Sequence, residues 1–164
     1  RVWAEPGGLL DSDAMLYCEE EWMPGQPTLI DVRDMSDGTL RFIAILTALL
    51  TRPEGSQLII EEVDAGLHPS RARLLLNMLQ EIGSQHHIDV LVTTHNPALL
   101  DTMGLKMVPF VVVAHRDRKS GESKLTLLED VDNLPKLVAS GPLGKVVSQG
   151  RIEESLSRDS ETDS

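Results

Sequence analysis

The stretch Leu58-Ile59-Ile60-Glu61-Glu62-Val63-Asp64-Ala65-Gly66-Leu67-His68-Pro69 constrains this chain more than any other. An apolar run passes into adjacent carboxylates, then a glycine turn, then a proline of the kind helices accept in their first turn. The apolar residues between Gln57 and Val63 do not alternate with polar ones, which predicts a central parallel strand covered on both faces. Charges inside such a strand would be costly, so Glu61 and Glu62 belong at its carboxyl end. In parallel α/β sheets the ligand crevice lies outside those ends. Successive strand residues point to opposite sides, so the two carboxylates cannot share one role. One can hold a metal-bound water while the other faces an attacking water. Taken alone, such a pair is more often a solvated sheet edge.

The flanking sequence supports the strand. Beyond Pro69, Leu75, Met78, Leu79 and Ile82 recur at helical spacing, and Gly83-Ser84 closes that helix. Ile88 to Thr94 reads as a second buried strand, ending at Thr93-Thr94-His95-Asn96-Pro97, with a short helix through Leu100. Upstream, Ser36 is a good N-cap for a helix spanning Leu40 to Leu50, which is apolar on nearly every face and therefore expected to be buried all round. Met107 to Ala114 and Lys124 to Leu128 predict a hairpin, and Asn133 to Val138 and Leu143 to Val147 predict short helices. Residues 1–26 are least legible: Val2-Trp3 and Met15-Leu16-Tyr17 read as strand pieces separated by the breakers Pro6-Gly7-Gly8 and Asp11-Ser12-Asp13, with Glu19 to Glu21 as a solvated edge. The order predicts an α/β layered sheet, mostly parallel, finishing in antiparallel strands. Residues 1–152 form the domain; from Glu153 to Ser164 the chain is acidic and serine-rich, and disorder is expected.

Composition removes several function classes. With 15 basic and 26 acidic residues, net charge −11, this segment has no general attraction for a phosphate backbone. Aromatic residues are 3% of the chain, too few for a base-stacking platform. The single cysteine, Cys18, excludes an internal disulfide and a thiolate zinc cluster and reads as a small, half-buried hydrophobe. No apolar run approaches membrane-spanning length and no signal peptide opens the chain, so the cytoplasm is the default.

Two further features carry chemistry. His95, following a buried strand, should open onto the same crevice as Glu61 and Glu62, where a neutral imidazole could donate to a phosphate oxygen. The other histidines have no ligand-like spacing. Ser36-Asp37-Gly38 places a hydroxyl and backbone amides at a helix N-terminus, an anion site as well as a cap.

In order and spacing these features resemble the second half of an ABC-type ATPase head, a P-loop NTPase fold. The resemblance is to the branch containing SMC and RecF-like proteins and the AAA-type ATPases of DNA repair and phage defence. Met35-Ser36-Asp37-Gly38-Thr39-Leu40-Arg41 stands where that family has its signature motif, and Leu58-Ile59-Ile60-Glu61-Glu62 where it has Walker B. Ala65-Gly66-Leu67-His68-Pro69 matches the D-loop region and Thr94-His95-Asn96-Pro97 the switch-histidine loop. The resemblance implies that Glu61 helps hold Mg²⁺, that Glu62 is the general base toward water, and that His95 contacts the γ-phosphate. It also implies that Ser36, Asp37 and Gly38 cap ATP bound to an opposing protomer, making the active form a head-to-tail dimer, with Asp64 near the contact. Glu61 in place of aspartate, Asp37 in place of glycine, Thr39 in place of glutamine and Val63 in place of proline depart from the transporter pattern and match the soluble branch.

No Gly-x-x-x-x-Gly-Lys-Ser/Thr stretch occurs in the chain; Gly144-Lys145 lacks both the upstream spacing and the following hydroxyl. A phosphate cradle with its lysine supplies most ATP binding in this class. These residues therefore read as a partial head whose P-loop lies upstream or on another chain. They should bind and hydrolyse ATP poorly alone. A non-hydrolytic module offering its signature motif in trans is the alternative.

Overall fold

The computed structural model describes residues 1–7 and 13–162, with side chains as far as Ser157. The breakers Gly8 and Asp11-Ser12 and the last two residues of the acidic tail lie outside the described residues. Ser36 caps helix α1 (Asp37–Thr51) as expected, its Oγ accepting the Thr39 amide at 3.2 Å. The helix is not buried all round: Gly38, Ile45 and Leu49 are buried, while Leu50 is 57% exposed. A helix lying beside one sheet edge and one other helix covers a single stripe, and the apolar residues outside that stripe stay in contact with solvent.

Strands β4 (Gln57–Ile60) and β5 (Asp89–Val92) pair in parallel, with Leu58 opposite Val90 and Ile60 opposite Val92. Strands β1 (Val2–Pro6), β2 (Ala14–Met23) and β3 (Gln26–Asp31) precede them as an antiparallel meander. Between β4 and β5 runs α2 (Pro69–Gln85), with proline in its first turn as predicted and Ala72, Leu75 and Leu79 buried. After β5 comes α3 (Pro97–Met103), capped by Asn96. Leu49, Leu58, Val63, Leu75, Ile88 and Leu99 are among the residues that join these elements in one aliphatic core.

The expectation that β4 is covered on both faces is corrected. Leu58 and Ile60 are buried, but Ile59 and its register partner Leu91 are 60% and 52% exposed. The two-residue pleat sends them away from the helices. Among the described residues parallel pairing is confined to the β4–β5 ladder, and the other two sheets are antiparallel. The poorly legible N-terminal stretch supplies β1 and β2, which pair antiparallel with each other, and β2 pairs antiparallel with β3.

The C-terminal part holds a second core. The predicted hairpin forms as β6 (Val112–Arg116) and β7 (Ser123–Leu127), but its first strand starts later than expected because Leu105–Phe110 is a 3-10 turn; α4 (Leu134–Ala139), α5 (Leu143–Ser148) and α6 (Arg151–Thr162) follow. Helix α6 begins at Arg151, within the expected domain, and runs on to Thr162 through the tail where disorder is expected from Glu153. Composition misleads there because Ile152 and Leu156, one turn apart, are buried with Leu128, Val131 and Val146. The Gly144-Lys145 pair also finds its reason. The Gly144 amide donates to Asp101 Oδ1 at 2.6 Å, and a Cβ there would stand 2.0 Å from the Pro97 carbonyl oxygen. The glycine lets α5 lie against α3.

Candidate functional site

Strand β4 stops at Ile60, and Glu61 to Gly66 form a turn. The two carboxylates are thus separated by the turn rather than by alternation along a strand. The parallel ladder nevertheless continues through backbone bonds: the Thr93 amide donates to the Ile60 carbonyl and the Val63 amide to the Thr93 carbonyl, both at 3.0 Å. The Glu62 amide donates to Thr93 Oγ1, also at 3.0 Å. Glu62 sits in the left-handed region at φ +47°, uncommon for a residue with a side chain. Val63 behind it is 1% exposed and pins the turn to the core.

This geometry brings Glu62 and His95 together. Glu62 Oε1 lies 3.7 Å from His95 Nδ1, near enough for attraction when the imidazole is protonated and too far for a direct hydrogen bond. Both side chains are open to solvent, 59% and 84% exposed, so the pair is weak as a stabilising contact and free to meet a ligand. Glu61 is also exposed at this end of the ladder.

Asp64 is spent inside the chain. It accepts from Thr94 Oγ1 at 2.7 Å and from Asn96 Nδ2 at 2.8 Å, tying the turn to the loop that carries His95. Burial works against its charge, but these hydrogen bonds and the neighbouring His95 more than offset that, and the carboxyl is held below the usual carboxylate range. His68 caps α2, its Nδ1 bonded to Ser70 Oγ at 2.9 Å.

Ser36, Asp37 and Gly38 stand at the N-terminus of α1, where Ser36 Oγ also bonds to Thr39 Oγ1 at 3.0 Å. Ser36 and Asp37 are exposed, whereas Gly38 is buried against the turn of its own chain. A Cβ at Gly38 would stand 2.1 Å from the Gly66 carbonyl oxygen. One turn along, Arg41 Nη2 donates to the Glu61 carbonyl and, at 2.9 Å, to the Glu62 carbonyl. Arg41 and Thr93 are the residues sequence reasoning passed over. The signal for Arg41 was its charge at the start of an otherwise apolar helix.

Among the described residues no group of three or more His, Cys, Asp or Glu is placed to hold a metal. Glu61 offers one exposed carboxylate, the kind of donor Mg²⁺ takes when phosphate and water oxygens complete its shell. The fit is to a metal that arrives with a nucleotide. No helix among the described residues is long and apolar enough to cross a membrane.

Residues 25–101 match the family described as "AAA domain, putative AbiEii toxin, Type IV TA system". That span holds the Ser36 cap, the carboxylate turn and the His95 loop. Five solved chains match the fold. One of them comes from work on ATP-driven dimerization and DNA stimulated activation of SMC ATPases. It has a TM-score of 0.50 at 13% identity, over 78% of this chain and 74% of that one. No curated protein matches. The chain resembles the SMC/RecF-like AAA-type ATPases over residues 25–101, and its fold is similar to that of the SMC ATPase structure. The match over residues 25–101 agrees with a general ATPase role, and the structural likeness is one of fold.

Proposed function

We propose that these residues supply the water-activating and phosphate-sensing side of an ATPase head that closes around ATP as a head-to-tail dimer. The observation that carries the reading is the convergence of Glu62 and His95, 3.7 Å apart, at the carboxyl end of a parallel ladder. Glu62 takes a proton from the attacking water, and His95 contacts the γ-phosphate and registers its loss. Glu61 would help hold Mg²⁺ through coordinated water; when bound, the ion neutralises charge on the phosphate oxygens. Ser36 and Asp37, exposed at the α1 N-terminus, face an opposing protomer's nucleotide, with Gly38 buried behind them against Gly66. The phosphate cradle comes from a P-loop outside these residues, in the same chain or another. The acidic segment itself does not hold nucleic acid. A cytoplasmic head serving DNA repair, chromosome maintenance or phage defence goes with the reading.

Glu62→Gln tests it in the P-loop-containing assembly. The variant should bind ATP, lose turnover and accumulate as a dimer by size-exclusion chromatography. Turnover at the wild-type rate would remove Glu62 from the base role. Stable association with a P-loop chain and no turnover in the unaltered protein would favour the non-hydrolytic module.

A further inference from the structure

Glu62 holds an uncommon backbone conformation, and the contacts that impose it come from two other elements. From β5's end, Thr93 Oγ1 accepts the Glu62 amide at 3.0 Å. From α1, Arg41 Nη2 reaches the carbonyls on both sides of the Glu61–Glu62 step, the Glu62 carbonyl at 2.9 Å. Arg41 Nε is enclosed without a hydrogen-bond partner, so the guanidinium is seated by those two carbonyls. A charged donor on a peptide carbonyl makes a stronger bond than a neutral one. Left-handed backbone at a residue with a Cβ persists only where its surroundings impose it.

We propose that Arg41 is a positioning residue for Glu62, its guanidinium acting with Thr93 Oγ1 to hold the left-handed turn that aims the Glu62 carboxylate at His95. The inference rests on the reading of Glu62 as the base toward water. Arg41 sits one turn from the Ser36 cap on the same helix, and Gly38 packs on Gly66 of the same turn. A shift of the α1 N-terminus on meeting a nucleotide therefore reaches the carboxylate of its own chain through Arg41. The cap and the base act as one piece.

The test uses the assembled, P-loop-containing ATPase and compares Arg41→Ala, Arg41→Lys, Thr93→Val and Glu62→Gln. A carboxylate displaced by about 1 Å costs on the order of 100-fold in rate. Arg41→Ala should therefore lose turnover on that order while KM for ATP stays within about twofold. Arg41→Lys, which keeps charge without the planar fork, should fall between it and wild type. Thr93→Val should lose turnover in the same direction. Methylguanidinium added at millimolar concentration should restore part of the Arg41→Ala rate and leave Glu62→Gln unchanged. A merely structural arginine gives no such rescue in kcat. If Glu62→Gln is dead and Arg41→Ala turns over at the wild-type rate, the inference fails and the base assignment stands. If loss appears in KM alone, or Arg41→Ala folds but is not rescued, the inference also fails. Wild-type turnover by Glu62→Gln overturns both. Should Arg41→Ala not fold, unchanged turnover in Arg41→Lys and Thr93→Val together overturns the inference.

Discussion

Gly38→Ala sets two effects of opposite sign against each other, and the structure decides between them. Alanine is the better helix former by about 0.8–1 kcal/mol in a helix interior, and less at a first turn. Against that, the added Cβ would stand 2.1 Å from the Gly66 carbonyl oxygen and 2.9 Å from its carbon, where ordinary contact begins at 3.4 Å. The α1 N-terminus and the turn must separate by about 1.3 Å at that point. The obstacle is backbone, held at Gly66 φ +73° and by the Leu67 amide on the Asp64 carbonyl at 3.0 Å, so no side chain can swing aside. Overpacking costs about 1–3 kcal/mol, the upper part applying where the contact is this short and against backbone, so the net loss after the propensity gain is about 1–2 kcal/mol. In a domain of this size each kcal/mol moves Tm by about 2–4 °C, so thermal unfolding should fall by about 2–8 °C. Thr47→Ala, at an exposed position of the same helix, isolates the propensity gain and should leave Tm level or slightly raised. A Gly38→Ala protein as stable as wild type would refute the packing of α1 on the turn.

Asp64→Asn keeps the shape of the link to Thr94 and Asn96 but removes its charge. It should cost about 1 kcal/mol at neutral pH, below the about 1.5–3 kcal/mol of a buried charged hydrogen bond because these two bonds are only part-buried. Because the Asp64 carboxyl is held below its unfolded value, its contribution is full above about pH 4 and is lost as pH falls through the folded value. The gap between variant and wild type in urea unfolding should therefore close in acid; a gap constant with pH would contradict the assignment. Gly144→Ala drives a Cβ to 2.0 Å from the Pro97 carbonyl oxygen and should lower Tm by several degrees without changing ATP binding. A loss of nucleotide binding there would show that the Gly144-Lys145 pair does more than pack.

The carboxylate turn was legible because its residues are chemically extreme for their place: charge directly after a buried aliphatic run has few physical resolutions. His95 followed for the same reason, standing after a second such run. The exposed faces of α1 and β4 were not legible, since an aliphatic residue carries no mark of whether another layer covers it. Ile59 and Leu50 read like Ile60 and Leu49, and the structure alone separates them. The start of α6 was missed for the converse reason. Two aliphatic residues, Ile152 and Leu156, anchor it against a composition that favours solvation. Arg41 was quoted within a motif but given no task, because its partners are main-chain carbonyls that any sequence would supply. The role of Gly38 is visible only once Gly66 lies beside it.

The left-handed backbone at Glu62 has an evolutionary consequence. Glycine accepts that conformation without penalty, so selection for stability alone would push position 62 toward glycine. The carboxylate at position 62 thus stands on backbone that glycine would adopt with less strain. On the role proposed for Glu62, Glu62→Gly would relieve the turn and remove the carboxylate in one change, giving a head that keeps its architecture without turning over ATP.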